Sequence, residues 1–186
     1  AWACGPTAAV NSFVYLENAY PNHYGRMLVP DTDGEGDHDQ AEMIAVAQTL
    51  ANANHMNLTV GSGVFDDMFI YGKQKYMEGV AAGRTAYGAQ LKATWAWPGA
   101  RPPGQIPPIP RPAWVQDNTI PTWEFIFDNL VDCEDVEILL YNDTNEWGHF
   151  LTVTSFFWTD ADGDGFIDAA ENATIDYINP CGSVAG

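Results

Sequence analysis

Gly148-His149-Phe150-Leu151-Thr152-Val153-Thr154-Ser155-Phe156-Phe157-Trp158 is the stretch on which the fold turns. Its β-branched and aromatic residues predict a strand over residues 150–158, with His149 at its opening. Ala173-Thr174-Ile175-Asp176-Tyr177-Ile178 alternates apolar and polar side chains in the same way, and a further strand is expected over residues 134–141. Earlier in the chain the periodicity is helical. Pro6 suits the first turn of a helix over residues 6–20, where Ala9, Val10, Phe13, Val14 and Leu16 form a broad apolar face and Pro21 lies just beyond the end. Met43, Ile44, Val46, Ala47 and Leu50 place a second helix at 40–53. A third, over 65–79, is weakened by Gly72, and a short one follows Pro121 over 122–131. Residues 89–97 look like another strand. Helices first and a sheet afterwards indicate an α+β fold.

Between the last two strands lies Asp160-Ala161-Asp162-Gly163-Asp164-Gly165-Phe166-Ile167-Asp168-Ala169-Ala170-Glu171. Asp160, Asp162 and Asp164 fall at positions 1, 3 and 5 of an EF-hand loop, and Gly165 at position 6 permits the sharp turn. The Phe166 carbonyl falls at 7, Asp168 at 9, and Glu171 at 12, where a carboxylate binds bidentately. Carboxylates this crowded repel one another unless a hard cation neutralises them, so Ca2+ is the expected ligand of the loop at 160–171. With strands on both sides rather than paired helices, the ion's expected role is structural, not signalling. A second acidic run, from Asp31 to Glu42, repeats the acids and Gly36 but carries His38 at the normally apolar position 8. It reads either as a second calcium loop or as a solvated cap for the helix from Gln40.

The 186 residues fit one domain, and 46% hydrophobic with 13% aromatic content supplies its core. Seven Lys+Arg against 25 Asp+Glu give a net charge of −18, which argues against nucleic acid and anionic membrane surfaces. No apolar run is long enough to span a bilayer. Such acidity suits a calcium-rich or salty medium. A chain that begins at Ala1 without methionine has the form left by removal of a secretory signal, so a secreted or cell-surface location is expected. Residues 98–112 are dominated by proline, with Arg101 and Arg111, and read as an extended surface loop. Trp95, Trp97, Trp114 and Trp123 flank it, as core residues or as a partner-binding surface. Three cysteines permit one disulfide, expected between Cys133 and Cys181, with Cys4 free. His23, His38 and His55 lack ligand-like spacing with cysteines, and no zinc site is expected.

Ala3-Cys4-Gly5-Pro6-Thr7 puts a cysteine at a helix start, where unsatisfied N–H groups and the helix dipole favour an anionic sulfur. His149 is placed to act as its base, and a third polar group must orient the imidazole. Asn179 before Pro180 is well placed, with Asp176 as the alternative. Taken singly, Cys4 reads as a core thiol and His149 as a structural histidine.

Taken together, Cys-Gly-Pro-Thr opening a helix, Gly-His-Phe-Leu-Thr-Val on a strand and Asn-Pro after the next strand resemble the papain-like cysteine peptidase superfamily. The nearest branch is the bacteriocin-processing type, and the match covers residues 2–20 and 121–182. The resemblance implies one domain over 1–186, with N-terminal helices packed on a C-terminal antiparallel sheet. It also implies a peptide or protein substrate, Cys4 as nucleophile, His149 as general base and Asn179 as orienting residue. Asn179 stands where that branch has aspartate, and the family's oxyanion glutamine would fall ahead of Ala1. The alternative is a catalytically inactive relative with a calcium-dependent structural, adhesive or filament-forming role, self-associating into an extracellular assembly.

Overall fold

The computed structural model describes residues 3–97, 99, 101–142, 147–168 and 170–180. Helix α1 spans Cys4–Ala19, starting ahead of Pro6 because a proline in the first turn removes only an N–H that had no acceptor anyway. Thr7 closes that turn: its N–H and Oγ1 both donate to the Ala3 carbonyl, at 3.1 and 2.9 Å. A single turn, α2 (Pro21–Tyr24), follows at once. Helix α3 (Gln40–Ala51) is capped by Asp39, whose Oδ1 accepts the Glu42 N–H at 2.8 Å.

Helix α4 (Asp66–Val80) runs straight through Gly72, and the structure gives that glycine a purpose. A Cβ there would lie 2.5 Å from Met56 Cγ and 2.7 Å from the Met56 backbone nitrogen. Met56 is wholly buried, so Gly72 lets the 52–58 turn press against α4. Alanine normally stabilises a helix interior by about 1 kcal/mol over glycine. Here the backbone clash reverses the sign, and Gly72→Ala is expected to lose about 1–3 kcal/mol in denaturant unfolding. A neutral or stabilised variant would show that the turn yields.

The expected strand at 89–97 shrinks to β1 (Ala89–Gln90), which pairs in parallel with β2 (Val115–Gln116). Beyond Leu91 the ladder ends, and the chain is held instead by bonds to Asp67, Asp117 and Asn118. Asp117 Oδ2 accepts the Trp95 N–H at 3.0 Å, Thr94 bonds Asn118 at 2.7 Å, and Ala96 takes a positive φ of 53°. Leu91, Trp95 and Val115 form a small buried cluster of their own. The proline-rich segment is not merely a surface loop. Arg101, 6% exposed, pairs at 2.6 Å with Asp67, 1% exposed, and the wholly buried Gln105 donates to Thr59 Oγ1 at 2.7 Å.

Helix α5 (Trp123–Val131), capped by Thr122, precedes the sheet. Strands β3 (Val136–Asn142), β4 (Trp147–Phe157) and β5 (Thr174–Ile178) run antiparallel in the order β3-β4-β5. The register sets Val136 against Val153, Leu140 against His149, and Thr152 against Ile178, with a bulge between Val153 and Ser155. The α+β reading holds.

The main core joins Ala8, Ala9, Val10, Phe13 and Leu16 of α1 to Val46 and Leu50 of α3, Phe69 and Met77 of α4, and Phe150 of β4. Buried Thr152 donates to the Ala8 carbonyl at 2.9 Å, tying α1 to the central strand. Lys73 on α4 reaches Glu137 Oε1 at 2.7 Å and also binds Asp135; the three side chains are 13%, 8% and 8% exposed, Lys73 first and then Asp135 and Glu137. Among the described residues no helix is long and apolar enough to cross a membrane.

Candidate functional site

Cys4 is the first residue of α1, so the helix start determines where its sulfur sits. Gly5 brings that start against the sheet: a Cβ there would stand 3.3 Å from the Phe69 ring and 3.4 Å from that of Phe150. Those two rings are stacked with centroids 4.3 Å apart. Because Phe150 is the neighbour of His149, this packing sets the helix start beside that part of β4. Cys4 and His149 line one broad cleft of about 1820 Å³.

Across the sheet, His149 Nε2 lies 2.8 Å from Asn179 Oδ1. A carboxamide oxygen only accepts, so Nε2 carries the proton and donates, leaving the Nδ1 lone pair as the basic site. Asp176, the alternative orienting residue, is engaged elsewhere: its Oδ2 accepts from Ser155 Oγ at 2.8 Å. Cys4 is a free, half-buried thiol, and among the described residues no hydrogen bond joins its sulfur to the His149 ring. Such pairs are often loose without substrate and tighten in the reacting complex. The Cys4 and Gly5 N–H groups belong to the first helical turn, which has no intrahelical acceptors for them.

The acidic loop at 160–171 folds as its glycines predict, with Gly163 at φ 79° and Gly165 at φ 80°. Asp160 Oδ1 accepts the Gly163 N–H at 2.6 Å, and its Oδ2 accepts that of Gly165 at 3.1 Å. Carboxylate oxygens of Asp160, Asp162 and Asp164 lie within 4.8 Å of one another. Oxygens that share a calcium ion at about 2.4 Å are no farther apart than about 4.8 Å, so the donor set fits that ion. Glu171 closes the loop, its Oε1 accepting the Ala161 N–H at 2.7 Å and its Oε2 the Trp158 indole N–H at 2.6 Å. The indole and the Ala161 N–H hold the Glu171 carboxyl below its ordinary pKa. Phe166 projects outward at 66% exposed, whereas Ile167 is buried and donates its N–H to the Glu124 carboxylate of α5 at 3.2 Å. Asp168 Oδ1 accepts the Ala170 N–H at 2.6 Å.

The run from Asp31 to Glu42 repeats this turn: Gly34 donates to Asp31 at 2.6 Å and Gly36 at 3.0 Å, and the carboxylates of Asp31, Asp33 and Glu42 converge. The difference is a resident cation. Arg26 Nη2 binds Glu42 Oε2 at 2.8 Å, and His38 leaves the loop to meet Glu17 on α1 at 2.7 Å. Asp39 of the same run caps α3 by accepting the Glu42 N–H, and the Glu42 carboxylate accepts the Thr32 N–H, so this loop already has a structural use.

Sequence reasoning did not single out Lys73, Asp135, Asp67 or Glu124, because each finds its partner on a distant element. The disulfide expected between Cys133 and Cys181 falls on Cys181, which lies outside the described residues, while Cys133 is a free thiol. Cys133 itself is exposed, at φ 61°, and its carbonyl accepts the Tyr20 hydroxyl at 2.8 Å. Comparison with protein-family models, with curated proteins and with solved structures found no match to this chain.

Proposed function

We propose that this chain is a secreted or cell-surface, calcium-stabilised protein of papain-like type that hydrolyses peptide bonds in the cleft of Cys4 and His149. The observation that carries the reading is the bond from His149 Nε2 to Asn179 Oδ1 at 2.8 Å, in a cleft shared with a cysteine at a helix start. His149 Nδ1 takes the thiol proton, and the Cys4 sulfur attacks the substrate carbonyl. First-turn N–H groups stabilise the oxyanion, and the imidazolium then protonates the departing amine. Water, deprotonated by the same nitrogen, hydrolyses the thioester and restores the thiol. Asn179 holds the ring without adding charge.

The test is alkylation by iodoacetamide at neutral pH, mapped by mass spectrometry. Cys4 is expected to react about tenfold faster than exposed Cys133, and His149→Ala to remove that advantage. Equal rates for Cys4 and Cys133 in the unaltered protein would remove the enzyme reading. They would leave the inactive structural relative, which the missing bond between sulfur and ring favours.

Ca2+ belongs in the loop at 160–171, held by Asp160, Asp162, Asp164, Glu171 and the Phe166 carbonyl, with Asp168 at the position often bridged by water. An ion bound only by the folded state at a hundred times its dissociation constant adds about 2.7 kcal/mol. EGTA is therefore expected to lower Tm by roughly 5–10 °C, and Asp160→Ala to abolish the response. Glu171's depressed pKa gives stability that is present above its unfolded value and lost as pH falls through the folded one. An unchanged melt in EGTA would exclude the ion.

A further inference from the structure

β3 hydrogen-bonds to β4 alone, so its outer edge has no strand partner among the described residues. Glu137, Ile138 and Leu139 in succession line the cleft. Successive side chains of a strand point to opposite faces, so consecutive residues reach one cavity along an edge. That edge leads from the reacting groups: Leu140 pairs with His149, and Val136 pairs with Val153. The four-residue step along the strand spans about 13 Å.

At the far end the cleft changes character. Asp132, Glu134, Asp135 and Glu137 line it, and the one cation bonded among them is Lys73, held by Asp135 and Glu137. Four carboxylates and one ammonium leave this end three charges negative. Glu134 is half-buried, and that burial, with Asp135 and Asp132 nearby, pushes its carboxyl pKa up. The cleft's other cations are Arg101, bound to Asp67, and Lys92. The remaining wall is largely apolar, including Phe69, Phe125 and Ile138.

The geometry points to an extended peptide that adds to the free edge of β3 as a fourth strand and places a lysine or arginine against Asp132 and Glu134, about six to eight residues from the scissile bond. This inference rests on the peptidase reading and names its substrate class: apolar, unstructured chain with a basic residue at a fixed distance from the cut. Main-chain pairing supplies affinity that tolerates many sequences, and the acidic end supplies the selection.

Binding is measured on the full chain carrying Cys4→Ala, in calcium buffer, by fluorescence anisotropy. The probes are labelled dodecapeptides of alanine, threonine and leucine, with one lysine moved through each position, and glutamate counterparts. At one position lysine is expected to bind about tenfold tighter than glutamate, a difference of about 1.4 kcal/mol. Asp132→Asn with Glu134→Gln should shrink that ratio to about twofold, as should 1 M salt. N-methylation of the peptide backbone should weaken binding by a similar factor. Lysine and glutamate peptides that bind alike at every position would overturn the proposal, as would a preference that survives the double variant. The preferred peptide is then incubated with the unaltered protein: selective binding without cleavage sinks hydrolysis alone, and cleavage without selection sinks the docking.

Discussion

Lys73→Met is expected to lower unfolding stability by about 3–5 kcal/mol, because it strands two carboxylates that folding has removed from water. Burial opposes the charge on Lys73, but Asp135 and Glu137 outweigh it and hold its pKa well above the ordinary lysine value. Burial likewise pushes the Glu137 carboxyl up, and Lys73 offsets this only in part. Without the ammonium, nothing offsets the burial that pushes the Glu137 carboxyl up, so the folded form takes up protons as pH falls. The loss is then largest near neutrality, shrinks as pH falls through that raised folded value, and is smallest below about pH 4, where the protonated acids tolerate burial. Adding Asp135→Asn and Glu137→Gln to Lys73→Met should recover most of the stability, since no charge then remains to be stranded. Urea unfolding of the single and triple variants at neutral and acid pH measures all of this. A single variant within about 1 kcal/mol of the parent would mean that water reaches the acids.

The second large effect is kinetic. Cys4→Ala is expected to cut kcat/KM for a cleaved peptide by about 10⁴-fold or more, and His149→Ala comparably, because either removes the covalent route. Asn179→Ala leaves both reacting groups and misplaces only the ring, for which about 10²-fold in kcat with little change in KM is expected. Asn179→Asp keeps an acceptor for the Nε2 proton and should retain more activity than the alanine variant. Equal loss from Asn179→Ala and Asn179→Asp would show that the 2.8 Å bond does not orient the ring.

How far these features can be read from the sequence depends on whether the deciding contact is local. Asp39 and Thr122 stand just before apolar periodicity, and both cap a helix through the N–H three residues on. The pairing of His149 with Asn179 follows from two adjacent strands and the Asn-Pro that ends the second. Residues 89–97 misled because Leu91, Trp95 and Ala96 suit a strand, yet Asp117 and Asn118, beyond the proline-rich loop, bond that backbone instead. Gly72 looked like a weak point because nothing local announces Met56. Lys73 sits amid polar helix residues and reads as solvated, and the acids that bury it come 62 and 64 positions later.

The tie between Thr152 and the Ala8 carbonyl spans 144 positions and has a consequence for timing. Synthesis delivers α1 first, but the strand that covers it comes only near the end of these residues. Until then Phe13 and Leu16 have no sheet to shelter them, and contacts this distant along the chain fold slowly. The same delay is protective. The His149–Asn179 pair that shares a cleft with Cys4 exists only once β5 has joined β4, so the activity proposed for that cleft would arrive late in folding and a partly made chain would be inert.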